Sequence, residues 1–430
     1  MIFVDSGNRA DLRPKVIAGG RCLIGGAFEE AVLVIADGCI VDIRAEEGSP
    51  DPGALTLNAR GLHVAPAIVD VHGDAFERQV MPRPNVTVPL DVAFLETDRQ
   101  LAANGIATTY HALTMSWEPG LRSIEQARET IHALDRLAPI LTVENRVQLR
   151  WETFALEALD LVAEALAGPL TPSIAFNDHT SMMMLDRSIR IQDRPFEQRP
   201  DFPALAPDDP RLVDLLAGQS RRAGLSAEDY AARIGEVWAR RPKVPEAIAE
   251  IARLGRAAGT PMLSHDDTTA EARAYYRGLG ARVAEFPMSL DAARDARAHG
   301  DTVIFGAPNA MRGGSHIGSL AAGAMVEDGL CDALASDYYY PAMRAAVARL
   351  EDEKRADRAT LWALVSDGPA RAMGLVDRGR IASGLRADIV VLDWPGGEVP
   401  QVCATLSAGR IAHLAEPGSG MSLLSQGPWS

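Results

Sequence analysis

Six side chains carry the chemistry this sequence offers: His72, Asp74, Glu152, His179, His265 and Asp337. The first two close the segment "IVDVHGD" at residues 68–74, where an apolar run over 64–71 reads as a buried strand. Residues two apart on a strand share a face, so an imidazole and a carboxylate can aim at one point if the strand runs on to Asp74. Such ligands suit a divalent cation such as zinc, manganese or iron. Singly, each residue has a plainer reading. An HxD triplet is more often a hydrogen-bonded pair, Glu152 could favour the start of a helix, His179 could be a satisfied core histidine, and Asp337 could be an N-cap. Their weight comes from placement. Each ends, or nearly ends, an apolar run and, the first pair apart, each belongs to a different strand–helix unit.

The elements that must position them alternate. After residues 68–74, strand candidates are 105–115, 145–152, 172–179, 261–267, 282–288, 301–309 and 332–338, with helical segments such as 123–137, 154–167, 244–258 and 290–299 between them. This pattern implies parallel strands with right-handed crossovers. Eight strands predict an α/β fold, a (β/α)8 TIM barrel whose active site forms at the C-terminal strand ends. Residues 1–62 read as β-structure with Asp37-Gly38 as a hairpin turn. The segments "GRIASGLRADIVVLD" and "QVCATLSAGRIAHL" answer from the other end. The expected organisation is a small β-sandwich of residues 1–62 plus 379–415, a barrel of 63–378, and a mobile tail at 416–430. Residues 186–243, charged and proline-rich, are too long for a simple crossover. They read either as a lid or substrate loop, or as an oligomer contact or surface decoration.

Composition excludes some classes. A formal charge of −15 argues against nucleic acid, which needs a broad basic surface. It leaves room for a small phosphorylated substrate held in a local cationic pocket. No apolar run reaches 18 residues, so no membrane span is expected. The N-terminus does not resemble a signal peptide, and Cys22, Cys39, Cys331 and Cys403 lack metal or disulfide spacing, which predicts reduced thiols and a cytoplasmic protein. His63, His132, His299 and His413 fall away from the catalytic strand ends and read as structural or solvated; His111 follows a β-branched strand and its role is open.

Taken together, these positions make the chain resemble the amidohydrolase superfamily over most of its length. That family has a metal-centred barrel and a small β-domain built from both termini. Its usual order is HxH after strand 1, a bridging Lys or Glu, histidines after strands 5 and 6, and an Asp after strand 8. This sequence departs twice. Asp74 stands where a second His is common, and none of its three lysines (Lys15, Lys243, Lys354) lies at a strand 4 end. The resemblance then implies two divalent cations, zinc foremost, with His72 and Asp74 on one, His179 and His265 on the other, and Glu152 between them. Asp337 becomes the base that takes a proton from the attacking water. Were Asp74 outside the ligand set, the site would be lopsided or hold a single cation.

Five further segments, "MPRPNV", "SHDD", "AEFPMS", "GAPNAMRGGSH" and "SDYYYP", occur in an order similar to a branch of that superfamily. Its members are diphosphatases of bacterial phosphonate breakdown through the carbon–phosphorus lyase pathway, and they release pyrophosphate from a phosphorylated sugar phosphonate. The resemblance implies a small-molecule triphosphate as substrate. The residues offer matching chemistry. Arg312 can grip two oxygens, Gly313 and Gly314 allow close backbone approach, and Asn309, Ser315 and His316 add polar groups. Arg78, Arg83 and Arg150 are further phosphate candidates; Asp266 and Asp267 read either as holding a further cation on the phosphates or as orienting His265, and Tyr338 has no assigned part. A Gly-rich turn without ligand is the plainer alternative. The rival functions are a deaminase or hydantoinase-like enzyme acting on a nucleobase or cyclic amide, and a catalytically silent scaffold. A homo-oligomer is compatible with either.

Overall fold

The apolar run at residues 64–71 is shared between two sheets rather than forming one strand. In the computed structural model, which describes residues 14–45, 54–84, 86–186, 188–315, 318–416 and 422–426, the run divides at Ala67. Its first part belongs to a terminal sheet, its second to the barrel. The terminal sheet begins with β1 (Val16–Ile24), β2 (Ala27–Ala36), β3 (Cys39–Arg44), β4 (Leu55–Asn58) and β5 (His63–Pro66). The barrel follows with β6 (Ile68–Gly73), β7 (Ile106–Met115), β8 (Glu144–Glu152), β9 (Ser173–Asn177), β10 (Met262–His265), β11 (Val283–Glu285), β12 (Thr302–Gly306) and β13 (Ala333–Ala335). The chain then returns to the terminal sheet as β14 (Ile389–Asp393), β15 (Gln401–Ser407), β16 (Arg410–Leu414) and β17 (Leu424–Gln426).

All eight barrel strands run parallel in sequence order from β6 to β13. An isolated parallel bridge between Gly73 and Asp337 joins the last strand to the first. The amide of Asp337 donates to the His72 carbonyl at 2.8 Å, and the amide of Asp74 to the Asp337 carbonyl at 2.9 Å. Strands such as β7, "IATTYHALTM", are buried along their whole length, as strands packed on both faces must be. The interior fills with Val69, Val71, Tyr110, Leu263, Val283 and Ile304. The intervening helices are capped by side chains their sequences supply: Ser123, Thr269 and Ser289 accept from the amide three residues on.

The terminal strands pair in one continuous nine-stranded sheet, with β5 antiparallel to β14 and parallel to β1. It encloses a core of its own from Ile17, Leu33, Val64, Ile389 and Leu406. Asp37 and Gly38 both have positive φ (49° and 80°) between antiparallel β2 and β3, as the hairpin reading expected. The tail departs from expectation. Residues 424–426 pair antiparallel with β4 and Leu423 is buried, so this part of the tail is held by the sheet.

Candidate active site

Imidazoles and carboxylates meet at the C-terminal rim of the barrel because successive strands end on them. His72 is on β6, Glu152 ends β8, His265 ends β10 and Glu285 ends β11. Three residues just beyond strand ends, Asp266, Phe286 and Asp337, have left-handed backbones (φ 62°, 55° and 53°). Such conformations cost on the order of 1–3 kcal/mol each away from glycine, and they gather where a site over-determines the backbone. Gly73, between His72 and Asp74, is required by space. A Cβ there would lie 2.6 Å from Asp70 Oδ2 and 3.1 Å from Ser336 Oγ. Asp70 in turn accepts from the Ser336 amide and hydroxyl at 2.9 and 2.6 Å, locking the strand before the motif.

Among the described residues, three groups of side chains could each hold a cation: His72, Asp74 and Asp337; His179, His265 and Asp266; and His72, His265 and Glu285. Glu285 is the residue the sequence reading passed over. Its two oxygens lie 3.1 Å from His72 Nδ1 and 2.7 Å from His265 Nδ1, and Gln148 Nε2 donates to it at 2.7 Å. The two imidazoles stack with centroids 5.3 Å apart and planes at 15°. Burial opposes the charge on Glu285, yet the two histidines hold its carboxyl far below the usual range. His72, burial notwithstanding, is raised by the same carboxylate. A carboxylate on both Nδ1 atoms fixes the rings and leaves each Nε2 for other partners.

Among the described residues, Glu152 falls in none of these three groups. It ends the third barrel strand, and its carboxylate serves the start of the helix at His179–Met184. It accepts from the amides of His179 (3.2 Å) and Thr180 (2.9 Å) and from the Thr180 hydroxyl (2.8 Å). His179 Nδ1 is 3.3 Å from Oε2. Burial opposes its ionisation, but the His179 and Thr180 contacts hold it below the ordinary value. Among the described residues, the carboxylate within 4 Å of both His179 and His265 is Asp266, at 3.9 and 3.6 Å. Asp337 is pushed up to about 6 by burial and by Asp74.

Arg150 is the arginine built into this cluster. It is 7% exposed, with NH2 3.2 Å from His265 Nε2 and NH1 3.5 Å from Asp74 Oδ2. The other phosphate candidates are placed differently. Arg78 is exposed and lies 5.9 Å from the Tyr338 ring centroid; Arg83 and Arg312 are exposed. Gly313 ends the short helix Ala307–Arg312 in a left-handed conformation (φ 77°). The amides of Gly313 and Gly314 donate back to Ala310 and Asn309 carbonyls at 3.1 and 3.0 Å. The backbone donors offered to phosphate are therefore spent on a helix C-terminus, whose dipole also disfavours anions. Asn309 bonds the Leu320 carbonyl and the Ala322 amide. Ser315 faces the site, and His316 lies outside the described residues. His111 is a core residue, fully buried, bonded to Asn145 at 2.7 Å and lowered to about 4 by burial. Asp267 accepts from Arg273 at 3.1 Å and from Ser264.

Two cavities open on the cluster. One of about 190 Å3 is lined by His72, Arg150, His265, Asn309, Ser315 and Asp337. A larger one of about 700 Å3 borders Glu152 and His179 and extends under the insertion. Asp266 and Met288 line both.

Comparison with known proteins agrees with this architecture. A model described as the amidohydrolase family matches residues 91–413. The alpha-D-ribose 1-methylphosphonate 5-triphosphate diphosphatase of Escherichia coli (strain K12) is 30% identical over 356 residues, covering 81% of this chain and 88% of that protein. Among solved structures, a zinc-bound adenosine deaminase from Xanthomonas campestris superposes with a TM-score of 0.59 at 12% identity, covering 95% of each chain. An N-acyl-D-glutamate deacylase from Bordetella bronchiseptica, complexed with zinc and a phosphonate inhibitor, gives 0.57 at 15% identity, covering 94% of this chain and 98% of its own. These two likenesses concern the fold. With a family match across three-quarters of its residues and a relative aligned along most of its length, the chain belongs to the amidohydrolase family.

Proposed function

We propose that this protein hydrolyses a sugar phosphonate 5-triphosphate, releasing pyrophosphate and leaving the 5-phosphate. The observation that carries the reading is a buried arginine inside the imidazole–carboxylate cluster, in a chain 30% identical to a diphosphatase for such a substrate. Amide hydrolysis does not require a guanidinium there, whereas a phosphoryl group gains from one.

The donor set fits divalent cations, zinc first, with manganese or iron served by the same ligand types. His72 with Asp74, and His179 with His265 and Asp266, would hold two of them, with Glu285 orienting His72 and His265. Bound there, the cations would supply Lewis acidity toward a phosphoryl oxygen and acidify a water. The chain's own groups do the rest. Asp337, whose carboxyl burial and Asp74 raise to about 6, would take the proton of the attacking water and pass it on. Arg150 faces the negative charge that grows on the phosphoryl oxygens as the anhydride bond breaks.

The test is product analysis with metal-loaded protein, offered the ribose 1-methylphosphonate 5-triphosphate and, separately, nucleobases and cyclic amides. Pyrophosphate from the first and no ammonia from the others is the expected result. Turnover of amides alone would reject the reading.

A further inference from the structure

The larger cavity has a wall that the barrel does not make. Ile189, Arg190, Arg194, Gln219 and Arg222 all come from the insertion at 186–243. That insertion is fastened down. Glu118, 5% exposed, accepts from Arg222 NH2 at 3.0 and 3.1 Å and from the Tyr230 hydroxyl, and Arg233 donates to the Trp117 carbonyl at 2.8 Å. Facing the insertion is Arg122, held bidentate on Glu77 at 2.9 and 2.8 Å.

The two cavities differ in what they can take. About 190 Å3 falls below the roughly 300–1,000 Å3 typical of pockets for drug-sized molecules, and about 700 Å3 lies within it. The larger space mixes the guanidiniums with the apolar Met182, Met183, Ile189 and Met288. It also presents Thr114, 6% exposed, whose hydroxyl has no hydrogen-bond partner among the described residues. A buried hydroxyl left unbonded costs free energy unless a ligand satisfies it. Cations for an anion, apolar side chains for a sugar face and a methyl group, and a hydroxyl for a sugar oxygen describe a ribosyl methylphosphonate.

We propose that the insertion forms the substrate-reading wall, so that the larger cavity takes the sugar phosphonate half while the smaller one, beside Arg150 and Ser315, takes the departing pyrophosphate. This rests on the diphosphatase reading above. Arg190 and Arg222 are then specificity-determining, acting on the phosphonate and not on the reacting phosphorus. Arg190, 71% exposed with its Nε bonded to nearby Asp193, can be changed with little risk to the fold.

The experiment measures each product separately. Ribose 1-methylphosphonate 5-phosphate and pyrophosphate are titrated by calorimetry into the metal-loaded wild type, Arg190→Ala and Arg222→Gln, and kcat and KM are taken with the triphosphate. Losing one charge-assisted contact should weaken the sugar product about tenfold and raise KM similarly, with pyrophosphate affinity and kcat within about twofold. Equal weakening of both products, pyrophosphate weakening alone, or no change in either variant overturns the assignment. Failure of the diphosphatase reading shows elsewhere, as no pyrophosphate released by the wild type, and takes this assignment with it.

Discussion

At the scale of single residues, Glu285 and Asp337 are both carboxylates at strand ends, and their surroundings give them opposite tasks. Glu285 lies against two imidazole Nδ1 atoms and a glutamine amide, which keep it charged and fixed. Asp337 is half-buried near Asp74, a like charge, and desolvation together with that charge raises it to about 6. Pairs of acids pushed apart in this way divide structural from proton-transfer work. Glu285→Gln removes the group that aligns His72 and His265 and should weaken metal retention roughly 10–100-fold, read as metal per chain after dialysis against a chelator. Asp337→Asn should hold its metal and lose about 10³-fold in kcat. Similar metal loss in both variants would contradict the division. His72, His265 and Asp337 were legible in the sequence because each follows an apolar run. Glu285 was less so. Its strand is only three residues long, too short to mark its last residue as a strand end, and "AEFPMS" reads as a substrate segment. Glu152 is a different case. Strand order alone gives it a rim position, but the helix starting at His179 collects its oxygens, and sequence spacing cannot show that.

Elements show the same split between periodic and contextual information. The helix at Val244–Ala258 matches its expected bounds, because an amphipathic repeat and a terminal glycine are local signals. The break at Ala67 follows Pro66, but a proline inside an apolar run does not by itself tell a change of sheet from a continuous strand. The glycines after Arg312 illustrate the ambiguity of short motifs. Positive φ serves a phosphate loop or a helix end equally well, and here it serves the helix end. The insertion was visible as an excess of length, but its fastening through Glu118 was not, because Arg222 and Tyr230 lie more than a hundred residues from it. That fastening can be tested. Glu118→Ala leaves Arg222 and Tyr230 without their acceptor, at a cost of about 1–3 kcal/mol to the docking of the insertion. Local opening should then accelerate cleavage within 186–243 on the order of tenfold under limited proteolysis, with the barrel fragments still resistant. An unchanged cutting rate would mean that other contacts hold the insertion.

On the scale of the whole molecule, the C-terminal segment must be returned to the terminal sheet after leaving the barrel, and charge on the rim opposite the active site helps to fix it. Glu144, at the start of β8, accepts from Arg378 NH1 at 2.7 Å, from Arg386 and, through its other oxygen, from Arg146 Nε at 2.6 Å. Arg378 is buried and also bonds the Thr108 hydroxyl at 2.8 Å, so barrel strands and the segment leading to β14 share one network. Burial disfavours the charge on Glu144, but Arg386, Arg378 and Arg146 outweigh it and lower its carboxyl from 4.5 to about 2. A group depressed in the folded state stabilises it above the unfolded value, and that contribution fades as pH falls from about 4.5 through about 2. At 1.36 kcal/mol per pH unit, the interaction is worth on the order of 3 kcal/mol at neutral pH. Glu144→Gln should therefore lower the urea midpoint clearly at pH 7 and less at pH 4, with the two proteins converging near pH 2. The uncharged variant would keep the side chain's packing, so a deficit of constant size at all three pH values would show that shape, and not charge, joins the returning segment to the barrel.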